Sequence, residues 1–196
     1  MKIATFTLMI LGILAAQGFS QGPASTSAAV FTDSQLGFRY TPPPNLRDLT
    51  EAGKQSIKQR AAAMGKTNTL TLLLSLLSGP DDTAVDWHSI GIESYPREKM
   101  RSVSDLDASR TFSQTVSGAG TETGQPTNVQ IGGSNFVVST FELREGQLTK
   151  HARVYTTVRN GQMLAFAFSA NSADVLNGIV DSMKTFQPTK DESVKR

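Results

Sequence analysis

Residues 151–169 read HARVYTTVRNGQMLAFAFS, and the way this stretch folds decides the rest of the chain. Asn160-Gly161 suits a two-residue type I′ turn, because both central residues of that turn need positive φ and these two types tolerate it best. The turn sets a register in which Arg159 faces Gln162, Thr157 faces Leu164 and Tyr155 faces Phe166. Side chains alternate along a strand, so Leu164, Phe166 and Phe168 share one face while Met163, Ala165 and Ala167 share the other. A strand that is apolar on both faces has to be covered on both. The hairpin is therefore expected to be an interior ribbon between two layers, and the small face at Ala165 and Ala167 invites close approach of one helix.

Upstream of the hairpin, the stretches 127–131, 135–144 and 147–159 are separated by Gly132-Gly133-Ser134 and Glu145-Gly146, which predicts an antiparallel meander of four strands. Downstream, Asn171 reads as a helix N-cap with Asp174 in the first turn. Val175, Leu176, Ile179, Met183 and Phe186 follow at helical spacing. Near the start, 36–41 reads as a short strand stopped by Pro42-Pro43-Pro44. Asn45 then reads as the cap of a helix over 46–64 that contains Gly53 and ends at Gly65. The leucine run in 69–77 reads as a strand buried in the middle of the sheet, with 86–95 returning beside it and Pro96 ending it. A second helix is predicted over 102–117, with Leu106, Ala108, Phe112 and Val116 on one side, and 118–124 is loop by composition. Together these elements predict an α+β fold, a three-layer α/β/α sandwich around a mainly antiparallel sheet with a C-terminal meander and helix.

The chain has 196 residues, 38% of them hydrophobic, which suits one domain with a single core. Met1-Lys2 followed by the uncharged run 3–16 and then small residues has the pattern of a secretory leader, too short to span a bilayer. The expected division is a signal peptide at 1–20, a flexible linker at 21–29, the folded domain at 30–187 and a polar tail at 188–196. The expected location is periplasmic or secreted, with no membrane span after cleavage. There is no cysteine, which excludes disulfides, thiolate metal sites and a lipoprotein anchor. The formal net charge is +2 with basic and acidic residues interspersed, so no stripe suited to nucleic acid or to anionic membranes exists.

The motifs that suggest chemistry fail on geometry. Gly65-Lys66-Thr67 resembles the end of a phosphate-binding loop, but Arg60 stands where the motif needs its first glycine, and a helix precedes it where a strand should. Asp86, His88 and Ser89 cannot form a triad on one strand, since Ser89 points away from the other two. Gly132-Gly133-Ser134-Asn135-Phe136 lacks the last glycine of a nucleophile elbow. His88 and His151 are the only histidines and have no metal-site spacing, so no metal or other cofactor is expected. Glu142 and Glu145 straddle a turn with no aromatic platform, and cross-strand ion pairing with Arg144, Lys150 and Arg153 is the simpler account. The best candidates for a recognition surface are Trp87, His88, Tyr95 and Arg97, aromatic and charged groups on and beside one strand.

Two stretches carry a resemblance. Leu36-Gly37-Phe38-Arg39-Tyr40-Thr41-Pro42 and Gly161-Gln162-Met163-Leu164-Ala165-Phe166-Ala167-Phe168-Ser169, the latter followed by a helix and Ser182-Met183-Lys184-Thr185-Phe186, resemble the opening and closing segments of the PsbP/Mog1 group of α/β/α sandwiches. Pro43-Pro44-Asn45 stands where a tryptophan commonly follows in that group. The resemblance implies a platform for protein contacts, and it carries over no functional residue. The expectation is thus an exported, non-enzymatic binding or assembly module contacting a protein or cell-envelope component. The rivals are an exported hydrolase with a site near Asp86, His88 and Glu93, and a small-ligand carrier with a cleft between sheet and helix.

Overall fold

A computed structural model describes residues 29–63, 65, 69–100, 104–118 and 120–189. The expected leader and the linker up to residue 28 lie outside these residues, as does the tail from residue 190.

In chain order the elements are β1 (Phe31–Asp33), β2 (Phe38–Tyr40), β3 (Arg47–Asp48), α1 (Thr50–Ala63), β4 (Thr71–Leu77), β5 (His88–Pro96) and α2 (Asp105–Ser117). Then follow β6 (Thr121–Glu122), β7 (Thr127–Ile131), β8 (Ser134–Glu145), β9 (Leu148–Arg159), β10 (Gln162–Ala170), α3 (Ala173–Val180) and β11 (Gln187–Pro188). The main sheet has eight strands in the order β3-β4-β5-β10-β9-β8-β6, with β7 also pairing β8, and every pairing is antiparallel. A separate small sheet runs β1-β2-β11.

The hairpin behaves as its sequence dictates. Asn160 and Gly161 take φ of 46° and 74°, and the register pairs Arg159 with Gln162, Thr157 with Leu164 and Tyr155 with Phe166. Met163, Leu164, Ala165, Phe166 and Phe168 are all fully buried. Burying each large side chain contributes about 1.5–3 kcal/mol, so packing rather than propensity fixes this ribbon. On one face, α2 lays Ala108, Phe112 and Val116 over Met163, Ala165 and Ala167, and α1 lays Ile57 over Leu72 of β4. On the other face, α3, a 3-10 turn at Asp181–Thr185 and the small sheet cover Leu164, Phe166 and Phe168. Phe166 is the hub of that layer, with ring centroids of Tyr40 at 5.4 Å, Phe38 at 5.6 Å, Phe186 at 5.7 Å and Phe136 at 6.2 Å.

Several local expectations are corrected. Asn45 is not a helix cap: it takes φ of 64°, and α1 begins at Thr50, whose N–H is accepted by Asp48 Oδ1 at 2.8 Å. The strand expected at 36–41 forms over Phe38–Tyr40, in the small sheet. Ser172 rather than Asn171 caps α3, its hydroxyl accepting the Val175 N–H at 3.2 Å. Ser104 caps α2, and Leu106 is 39% exposed instead of facing the core. The chain also continues past the expected domain end, because Pro188 pairs with Phe38 and the Thr189 N–H donates to Gly37 O at 2.8 Å. Most consequential is β4, which lies beside the sheet margin and not in its middle, since its only outer neighbour is the two-residue β3.

Candidate functional site

β5 does not bring its four candidates together. His88 opens the strand and Tyr95 lies seven residues on, about 23 Å away along an extended chain. Trp87, the last residue of the 78–87 loop, is only 4% exposed, so its ring is not available to a partner. Lys150 Nζ sits 4.7 Å from the centre of its ring and 3.4 Å from Asp82 Oδ2. Asn171 ties the same loop down, its Nδ2 donating to the carbonyls of Asp82 and Ala84 at 2.7 Å each. Lys150, expected to take part in cross-strand ion pairing on the meander, is fully buried here, and its Nζ reaches Asp82 of the 78–87 loop. At the far end Tyr95 packs its ring on Phe112 at 6.1 Å, and Arg97 Nε is held by Asp105 Oδ1 at 2.8 Å.

His88 is half-buried, and its Nδ1 is engaged by the Asp86 carbonyl at 2.7 Å. Glu93 is five residues along the same strand and therefore on the opposite face, so these two members of the hydrolytic reading cannot act on one atom. His88 and His151 do share a row, on either side of Ala170, with Glu142 next to His151. The intervening strand keeps the two histidine backbones about 10 Å apart. Among the described residues no three His, Cys, Asp or Glu side chains cluster as metal ligands.

What the structure does assemble lies at β4. Arg47 and Asp48 of β3 pair only with Leu77 and Leu76, and the Leu49 N–H and Thr50 Oγ1 engage Ser75 at 2.8 and 3.0 Å. From Thr71 to Leu74 no described strand lies on the side away from β5. Such an edge is a template for another extended chain. Beside it runs a groove of about 460 Å³ lined by Leu70, Thr71 and Leu72 and, on α1, by Lys54, Ile57, Lys58 and Ala61. Lys54 and Lys58 are four residues apart and so rise on one side of the helix. Lys54 is paired with Glu51 at 2.8 Å, while Lys58 is exposed with no ion pair among the described residues. Gly53 lets α1 sit down on the strand: a Cβ there would stand 2.5 Å from Leu72 Cδ2.

Directly inward of this groove, Glu93 is the register partner of Leu72 on one side and Ala165 on the other. It is 1% exposed, its Oε2 has no hydrogen-bond partner among the described residues, and burial pushes the carboxyl up to about 8. At neutral pH it is a neutral acid, able to donate as well as to accept a hydrogen bond. Sequence reasoning passed over Lys54, Lys58 and the open edge, because exposed helix lysines look alike everywhere and a leucine run does not reveal its place in a sheet. The alternation Ser89, Gly91, Glu93 opposite Ile90 and Ile92 does mark Glu93 as facing a layer of its own.

No family model and no curated protein matches this sequence. Among solved structures the chain is similar to a Bacteroides thetaiotaomicron VPI-5482 protein at 13% identity and TM-score 0.47, covering 88% of this chain and 52% of that one, about half its length. It is similar to the Ran-binding protein Mog1p of Saccharomyces cerevisiae at 10% identity and TM-score 0.51, over 84% of this chain and 96% of Mog1p. It is similar to cyanobacterial PsbP (CyanoP) of Synechocystis sp. PCC 6803 at 14% identity and TM-score 0.50, over 87% of this chain and 98% of CyanoP. These two superpositions, over nearly the whole of Mog1p and of CyanoP, show that the chain has the PsbP/Mog1-like α+β sandwich fold.

Proposed function

We propose that this chain is an exported, non-enzymatic binding or assembly module, periplasmic or secreted, that docks a protein or cell-envelope component through the open margin of its sheet. The leader pattern at 1–20 supports export, and the linker at 21–29 places the domain from residue 30 onward. The observation that carries the docking reading is the unpaired edge at Thr71–Leu74 beside the groove under α1. A rigid sheet presents unsatisfied backbone groups there, an apolar floor lies next to them, and charge stands on the rim. Mog1p is a Ran-binding protein, and the shared fold adds a protein partner as an analogy only. The test places a photo-cross-linking residue at Thr71 and, as a control, at the exposed Asp174 on α3, in full-length protein expressed in its own cell envelope. Cross-links to one defined band from position 71 and not from 174 support the reading. Equal labelling from both positions, or none from 71, sinks it.

A second reading, carriage of a small ligand, has Glu93 in its favour, since a buried carboxyl without a partner is costly unless something satisfies it. Native mass spectrometry of the purified protein, with Glu93→Gln beside it, decides that reading. A bound small molecule lost in the variant supports it, and identical unliganded masses count against it.

A further inference from the structure

We propose that the occupant of the β4 margin is an extended segment of a partner protein that adds to Thr71–Leu74 as a strand, with one aliphatic side chain in the groove and acidic residues beside it. The inference rests on the docking reading above and names the chemistry of the partner.

The edge supplies the first part of the argument. β3 and the start of α1 satisfy β4 only from Ser75 onward, so among the described residues the outward backbone groups of the preceding four have no strand beside them. Backbone amides and carbonyls demand partners, and an added strand satisfies a row of them at once where a side-chain contact satisfies one. The open stretch, Thr71–Leu74, matches a segment of about four residues in extended conformation, with a register shift against β5 between Leu72 and Leu74.

The groove supplies the second. Side chains of an added strand alternate, so every other residue points toward α1. There it meets Ile57, Ala61, Leu70 and Leu72, an apolar floor that suits leucine, isoleucine or valine and offers little to a polar group.

Charge supplies the third. Lys54 and Lys58 stand over this floor on one side of α1, and the wall facing them on β4 carries no acidic residue among the groove's lining. Glu51 neutralises part of Lys54, and Lys58 is left to a carboxylate from outside. A basic partner meets like charge at the same place, which discriminates against it more than the attraction strengthens binding.

The experiment uses full-length protein and a fluorescein-labelled eight-residue peptide alternating leucine with aspartate or glutamate, read by fluorescence anisotropy and by 15N amide shifts. Saturable binding with shifts centred on residues 71–74 is expected. N-methylating alternate amides of the peptide, or introducing Lys58→Glu, weakens it at least about tenfold. The Lys58→Glu protein is checked for unchanged melting temperature, which the exposure of Lys58 makes expected. Equal binding of the N-methylated peptide, or of one with lysine in place of the acidic residues, overturns the inference. So does a protein that self-associates through this edge and becomes monomeric when residues 190–196 are removed, because the occupant is then a second copy. Failure of the peptide while position 71 still cross-links a partner overturns the acidic strand and leaves the docking margin standing. Failure of both removes the margin itself.

Discussion

Gly53 and Leu72 touch so closely that the glycine has no room for a Cβ: the nearest leucine methyl would lie 2.5 Å from it. This contact sets how deep α1 sits on β4, and so how wide the neighbouring groove is. Gly53→Val is expected to push the buried Leu72 side chain aside and to destabilise the domain by about 1–3 kcal/mol. Valine recovers little helix propensity to offset that. Thermal unfolding followed by far-UV circular dichroism measures it, and an unaltered midpoint would show that the helix can lift without cost.

Glu93 makes stability depend on pH in a defined direction. Its carboxyl titrates near 8 in the folded chain and near 4.5 in the unfolded one. Between those values the folded state holds a proton that the unfolded state has lost, so stability is highest below about 4.5 and falls as pH rises toward 8. Glu93→Gln has no such proton to lose. Its melting temperature is expected to exceed that of the parent by a margin that widens from pH 5 to pH 8 and then levels off. Parallel melting curves across that range would mean that the carboxylate finds a partner when it ionises.

Lys150 buries a charge under Trp87 and next to Asp82, a placement that costs desolvation for both ions. Lys150→Met keeps the volume and removes the charge, and is expected to be neutral or modestly stabilising. Lys150→Ala leaves a cavity under the ring and is expected to cost about 2–5 kcal/mol. Urea titration separates the two, and amide exchange at Trp87 and His88 is expected to rise only in the alanine variant.

Arg159 fastens the small sheet to the hairpin. Its Nε and Nη2 donate to the carbonyls of Leu36 and Gly37 at 2.8 and 2.7 Å, and its Nη1 reaches Ser134 Oγ at 3.2 Å. Lysine cannot reproduce that fork. Arg159→Lys and Arg159→Ala are therefore both expected to lower stability by about 1.5–3 kcal/mol, with faster exchange confined to β2 and β11. Full rescue by lysine would show that charge alone matters there.

The hairpin was readable residue by residue because a two-residue turn leaves one register and a two-sided apolar strand leaves one burial. Caps were harder. Asn45 and Asn171 are residue types that favour both caps and irregular turns, and both adopt the second role, one with positive φ and one by holding the 78–87 loop. The position of β4 was not readable at all. Its leucines are covered by α1 on one side and by the other layer on the other, and that burial is the same whether or not a long strand lies alongside. Trp87 looked like a recognition residue because nothing in its neighbourhood announces that a lysine more than sixty positions later will lie across its ring. The open margin was missed for the matching reason, since what defines it is an empty place beside a strand.

The small sheet joins β1, near the start of the folded region, to β11, near its end, in the layer opposite α1. The first and last described strands therefore lie in one layer, away from the groove. A domain immobilised through a residue of β1 or β11 would keep its lysine-rimmed flank turned outward.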